Sequence, residues 1–180
     1  MKNIVLLSHC ILNNFSKVKN NKACEDMSAL IEWLLKNKIG LIQLKCPETH
    51  LYGLKRWGHV REQFDTVHYR KVSREIIAEL IDEVREYLNN NYRLLAVVGI
   101  DGSPSCGIQY SCSSKNRGGE ISLIQSLDAI IPTDYEKRPG IFMEEMQSLF
   151  AKQNIHTKFL AYKRDCISAL ISDLQKLMQD

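Results

Sequence analysis

The sequence predicts an α/β fold, with a mostly parallel sheet and helices on both of its faces. Three observations predict it. Short apolar runs alternate along the chain with segments of helical period, in the order β-α-β-α-β and then α-β-α. One run, YRLLAVVGI (92–100), is apolar almost throughout, as a strand covered on both faces must be. No internal repeat, low-complexity tract or linker-like change of composition interrupts the order, so the 180 residues are read as one domain, 1–180. A domain of that length buries roughly 70% of its unfolded surface and needs no disulfide to hold its core.

The elements follow in turn. NIVLLSH (3–9) is short, apolar and rich in branched residues, and reads as a buried strand. SALIEWLLKNK (28–38) has helical spacing, with Gly40 placed to end the helix. LIQLKC (41–46) returns to a strand pattern. VSREIIAELIDEVREYLNNN (72–91) is the clearest helix. Ser73 is its expected N-cap, and Ile76, Ile77, Leu80, Ile81, Val84 and Leu88 form its apolar stripe. After the strand 92–100, LIQSLDAIIP (123–132) reads as a short helix followed by a strand or loop. PGIFMEEMQSLFAKQN (139–154) is a helix with Pro139 near its start, HTKFLAY (156–162) a strand, and CISALISDLQKLMQD (166–180) a closing amphipathic helix. The sum is a three-layer, Rossmann-like arrangement, whose ligand site belongs beyond the carboxyl ends of the strands.

Composition excludes several classes. With 44% hydrophobic and 25% charged residues the chain is neither disordered nor fibrous. A formal net charge of +3 does not announce a nucleic-acid binder, so no nucleic-acid polymer is expected as partner. The basic runs KVKNNK (17–22), LKRW (54–57) and SKNRGG (114–119) read as solvated loops. No run approaches the roughly 18 apolar residues of a membrane span, and the N-terminus MKNIVLLSHC lacks the longer apolar region and cleavage site of a secretory signal. The expected location is the cytoplasm. Composition sets no oligomeric state.

In that reducing compartment, six cysteines are more naturally buried, metal-binding or catalytic than paired. Three of them follow apolar strands: Cys10 after NIVLLSH, Cys46 after LIQLK, and Cys106 after LLAVVGI and a short turn. In a parallel sheet these strand ends share one edge, so thiols 36 and 60 residues apart can converge. Cys24, Cys112 and Cys166 read as structural, Cys112 being near enough to Cys106 in sequence to serve as a fourth ligand. No CxxC pair is present, which argues against a zinc ribbon or thioredoxin-type motif. Three thiolates without a clear fourth suit zinc or three corners of a four-iron cluster, leaving one metal position open for Lewis-acid chemistry. Glu48 follows Cys46 in KCPETH, where Pro47 stiffens the turn; Ser103 and Ser105 flank Pro104 in GSPSCG. Of the histidines, His9 is placed to shape the site.

These motifs have a resemblance. SHC near the N-terminus, CPE in the middle and SPSCG after the third strand resemble the DUF523 family, which includes the thiouracil desulfidase type. The resemblance covers roughly residues 1–165. SHCILN keeps the serine and cysteine of the family's N-terminal motif but has Asn13 where glycine is usual, and CPETHLYGLKRW departs from the family's commoner continuation. The resemblance implies a [4Fe–4S] cluster held by Cys10, Cys46 and Cys106, with the fourth iron free to take sulfur from a thiolated nucleobase and release it as sulfide without net redox change. It also implies Glu48 as proton shuttle or base for water, and Ser103, or else Ser105, as the family's serine. The expected partner is a small thiolated molecule. Two other readings stand beside it. Cys106 could be a nucleophile activated by His9 or His50, or the chain could be a non-catalytic zinc or sulfur-binding module closed by Cys112 or His9.

Overall fold

The computed structural model describes residues 2–18, 26–114, 117, 134–163 and 166–179. Cys24 and the segment 123–132 lie outside them. The sheet has four strands in the order β2-β1-β3-β6, all parallel: β1 Lys2–Leu7, β2 Gly40–Gln43, β3 Tyr92–Ile100 and β6 Lys158–Tyr162. The helices α5 (Val67–Asn89) and α6 (Ile141–Lys152) cover one face, and α2 (Ser28–Lys36) and α7 (Ile167–Gln179) cover the other. This is the three-layer α/β architecture read from the sequence.

Side-chain alternation divides each strand between the two layers. Ile4 and Leu6 of β1 face α5 and α6, whereas Val5 and Leu7 face α2 and α7. Both sets are almost completely buried, and each such side chain contributes roughly 1.5–3 kcal/mol relative to exposure. Along β3 the alternation slips once. Ile4 pairs with Leu94 and Val5 with Ala96, so Leu95 is the extra residue of a bulge and faces the same layer as Ala96.

Several sequence expectations are corrected here. The long helix α5 starts at Val67, earlier than expected, because Thr66 caps it by accepting from the Tyr69 N–H at 3.1 Å. Ser73 is therefore not a cap; it lies inside the helix, fully buried. Ile76, Ile77, Leu80, Ile81 and Val84 form the buried stripe, but Leu88 is exposed beyond the end of the layer. Gly40 does not stop α2. Lys38, with φ of 55°, turns the chain, and Gly40 opens β2. His9 has left the first strand and begins a one-turn helix, α1 (His9–Leu12). The sequence reading also missed α3 (Pro47–Tyr52), α4 (Arg61–Phe64), and a two-stranded antiparallel ribbon of β4 (Ser111–Ser113) and β5 (Asp134–Glu136). Each is too short to show a period.

Strand order places the site. From β1 the chain crosses to β2 on one side, then returns to β3 on the other, so the reversal of winding falls at β1. Open α/β sheets bind ligands in the crevice beyond the strand ends at such a reversal. Among the described residues, no helix is long and apolar enough to cross a membrane.

Candidate functional site

Each predicted thiol leaves the sheet at this edge through a different local device. After β1, the buried Ser8 N–H donates to Val98 O at 3.0 Å, and Cys10 then lies in α1. After β2, Cys46 is the N-cap of α3, where Pro47 takes the first helical position and costs no hydrogen bond. The Cys46 Sγ accepts from the Thr49 N–H at 3.4 Å. Cys106 lies in a turn fastened to both neighbouring elements. Its carbonyl accepts from Ile100 N–H at 2.9 Å, while the first N–H groups of α6 donate to Pro104 O and Ser105 O at 3.0–3.2 Å. The free donors of a helix start thus hold the turn.

Two glycines allow that fit. A Cβ on Gly99 would stand 2.3 Å from the Cys106 carbonyl oxygen, and one on Gly140 2.5 Å from the Ser105 backbone. The turn is wedged between strand and helix at a distance only glycine permits. Asp101 completes the turn, its Oδ1 accepting from Ile108 N–H at 3.0 Å and Gln109 N–H at 2.8 Å.

The three thiols face a common region. Burial pushes the Cys10 thiol up to about 12; Lys17 opposes this, while Cys46 and Glu48 add to it. Burial drives the Cys106 thiol well above its usual range, and negative charge on Cys10, Cys46 or Glu48 drives it further. The structure therefore brings Cys10, Cys46, Cys106 and Glu48 within reach of one another's charge. Glu48 is 8% exposed. Burial raises its carboxyl, and the Arg56 guanidinium, whose Nε lies 3.0 Å from Oε2, opposes the rise.

The two serines have different settings. Ser103 Oγ accepts from the Cys106 N–H at 2.9 Å and the Ser105 N–H at 3.3 Å, which shapes the turn and leaves its proton to donate. Ser105 is fully buried, its Oγ accepting from the Tyr69 hydroxyl at 2.8 Å and lying 3.8 Å from Cys106 Sγ. Cys112, on β4, directs its thiol to His59 O at 3.5 Å, and burial pushes it up to about 11. His9 has its carbonyl bound by Gln43 Nε2 at 2.9 Å, which fixes the path from α1 to β2. Cys166 is exposed and His50 lies on an exposed part of α3.

Sequence reasoning missed three contributors. Arg56 belongs to LKRW, read as a solvated loop, yet its side chain is only 4% exposed. Besides Glu48 it binds Gly53 O at 3.1 Å and Ser16 O at 2.8 Å. Tyr69, one residue in a helix stripe, carries the hydroxyl behind Ser105. Ser8, in SHC, is fully buried with an Oγ that has no hydrogen-bond partner among the described residues. The unusual segment after CPE was the signal for Arg56; for Tyr69 there was none.

The donor set can be tested against the implied cofactor. Burial raises the Cys10 and Cys106 thiols, and negative charge on Cys46 would raise both further, so the three ionise together only if a positive centre joins them. Soft sulfur donors match iron, and the unpartnered Ser8 Oγ marks a further polar atom beside Cys10. Among the described residues, no three or more His, Cys, Asp or Glu are gathered as for a single metal ion. Thiolate donors of this kind suit an iron–sulfur group and zinc alike.

The comparisons agree with the motifs. The family model described as "Putative 2-thiouracil desulfurase" matches residues 1–128, which include Cys10, Cys46, Glu48, Ser103, Ser105 and Cys106. The chain is similar to a protein of Methanocaldococcus jannaschii named "Uncharacterized protein MJ0003", at 37% identity over 165 residues, 91% of this chain and 88% of the relative. No solved structure matches the chain. With motifs and family model in agreement, this chain belongs to the family described as "Putative 2-thiouracil desulfurase".

Proposed function

We propose that this chain is an iron–sulfur-dependent, non-redox desulfidase of the cytoplasm, acting as one domain on a small thiolated heterocycle rather than on a nucleic-acid polymer. The observation that carries the reading is that Cys10, Cys46 and Cys106 follow β1, β2 and β3 on one edge of a parallel sheet, with Glu48 in the first turn of the helix that Cys46 caps. The described cysteines are all free, which suits a reducing compartment.

Cys10, Cys46 and Cys106 would hold the [4Fe–4S] cluster by three corners. When bound, it supplies a soft Lewis acid that favours sulfur over oxygen. The chemistry is balanced without electron transfer: water adds at the thiocarbonyl carbon, the C–S bond breaks, and the oxo compound and sulfide leave. Glu48 takes the proton from the attacking water, and Arg56 holds its carboxylate in place. Ser103, with its proton unspent, donates to the substrate. Ser105 is enclosed between Tyr69 and Cys106, so it supports the turn rather than the substrate. A nucleophilic Cys106 would need a lowered pKa, and this thiol is shifted the opposite way.

The test is anaerobic purification followed by iron and sulfide analysis, a visible spectrum, and sulfide release from 2-thiouracil. Full cluster content with turnover is the expected result; colourless protein after anaerobic reconstitution would overturn the reading. Glu48→Gln and Ser103→Ala should keep wild-type iron content, with Glu48→Gln releasing sulfide about 10²–10⁴-fold more slowly.

A further inference from the structure

Helix α3 carries more than its cysteine cap and glutamate. Tyr52 stands four residues after Glu48, and positions so spaced share one helix face. The Tyr52 hydroxyl is raised by burial and, next, by the Glu48 charge, which agrees with that placement. The ring is stacked on His59, with centroids 5.1 Å apart and planes 28° apart, and lies 5.8 Å from Phe64 at 18°. Phe64 stacks in turn on Tyr69 at 4.5 Å and 8°. Tyr69 is the residue whose hydroxyl reaches Ser105, next to Cys106. Tyr52 also lies 6.5 Å from Tyr69 at 14°, so these rings form one cluster between the Cys106 turn and the surface, in which Tyr52 is still 42% exposed.

Two further observations point to a ligand at Tyr52. Burial lowers the His59 pKa, so the imidazole behind Tyr52 is held neutral, and its Nδ1 is buried without a hydrogen-bond partner among the described residues. Arg56 binds Ser16 O and Gly53 O, tying together two segments that expose Phe15 and Trp57. Phe15 and Trp57 thus adjoin in the chain the two residues, Ser16 and Arg56, that meet beside Glu48.

We propose that Tyr52 is a specificity-determining residue: its ring, backed by His59 and Phe64, receives a flat aromatic heterocycle face to face and sets it beside Glu48. This rests on the desulfidase reading. The physical basis is that the stacked rings behind Tyr52 fix its orientation, so little freedom is lost when a base stacks on it. Planarity of the ligand is what such a surface selects, because a puckered ring cannot lie flat on tyrosine.

The experiment uses the anaerobically reconstituted full chain and two non-reacting probes, uracil and its puckered, non-aromatic relative dihydrouracil. Equilibrium dialysis should show wild-type protein binding uracil more tightly than dihydrouracil. Tyr52→Leu should lose that preference, binding uracil roughly 5- to 100-fold more weakly, the range that base–aromatic stacking spans on truncation. Its KM for 2-thiouracil should rise while kcat stays within about twofold, as for loss of uniform binding. Tyr52→Phe and Tyr52→Trp should keep the preference, and iron content should match wild type in all. Equal binding of the two probes by wild type, or uracil binding by Tyr52→Leu at wild-type strength, overturns the proposal. Sulfide release with binding independent of Tyr52 removes this subsite and leaves the desulfidase reading standing. Tyr52-dependent preference for uracil in a protein that releases no sulfide does the reverse.

Discussion

Two charged regions of this molecule are built on opposite plans. Between α4, α5 and α6, Arg61, Arg70 and Arg74 meet Asp65, Glu144 and Glu145. Arg70 lies 2.7 Å from Asp65 and 2.6 Å from Glu145, Arg74 lies 3.1 Å from Glu145, and the buried Arg61 pairs with Asp65 and Glu144 and binds Pro139 O at 3.0 Å. Every cation there has an anion. At the sheet edge, the thiols of Cys10 and Cys106 are raised by burial and, further, by the Cys46 and Glu48 charges, while Arg56 pairs with Glu48 and Lys17 opposes the rise at Cys10. The first region is complete as folded and fastens α4 and α5 to α6. The second holds thiols that burial keeps protonated beside a carboxylate paired with Arg56. A region with matched charge is a structural joint, whereas thiols set at a strand-order reversal are what the proposed cluster would require.

The largest expected effects test that contrast directly. Replacing Cys10, Cys46 or Cys106 by serine should abolish cluster content and sulfide release, because a hydroxyl is a poor ligand for iron. Cys166→Ser should change neither. Arg61→Met should act the other way round, costing about 1–3 kcal/mol in a urea melt by removing the buried guanidinium's bonds to Pro139 O, Asp65 and Glu144, with iron per folded chain unaltered. If Arg61→Met lost iron at full stability, the two regions would not be separable.

A smaller effect sharpens the same comparison at the backbone. Gly99→Ala pushes a methyl carbon against the Cys106 carbonyl. It should destabilise the chain by about 1–3 kcal/mol through overpacking and lower iron content as well, since the turn holding Cys106 must move. Iron content equal to wild type would show that the wedge does not position the thiol.

The smallest concerns acid. The hydrogen bond from Arg70 holds the Asp65 carboxyl below its ordinary 3.8, against the opposing effect of burial. Its stabilisation is complete above that value and fades as pH falls through the lower native one. Because Asp65 is partly exposed, the effect is modest. Asp65→Asn should flatten the acid limb of a Tm-against-pH curve and leave it unchanged near neutrality. An unchanged acid limb would place the acid sensitivity elsewhere.

The fold was largely legible from the residues because long elements repeat a period. YRLLAVVGI coincides with β3, and the apolar spacing from Ile76 to Val84 coincides with the buried stripe of α5. Shared strand direction also made it predictable that Cys10, Cys46 and Cys106 follow strands ending at one edge. Short elements escaped. α3 and α4 have too few residues to show a helical stripe, and their caps involve a cysteine sulfur in one case and the Gln63 side chain on Val60 N–H in the other. Ser73 looked like a cap because residue type alone does not distinguish a helix start from a buried interior site.

By itself the sequence determined the alternation of elements and which thiols follow strands. These are local consequences of period and chain direction. Only the tertiary structure decided that Arg56 turns inward to Glu48, that Tyr69 stands behind Ser105, and that Tyr52 joins a cluster of stacked rings. Each depends on packing between elements far apart in the chain, here α3, α5 and the turn after β3. A polar or aromatic side chain has no preferred depth until its neighbours are in place: the same arginine is a solvated charge on an open loop and a buried partner where a carboxylate and two carbonyls surround it.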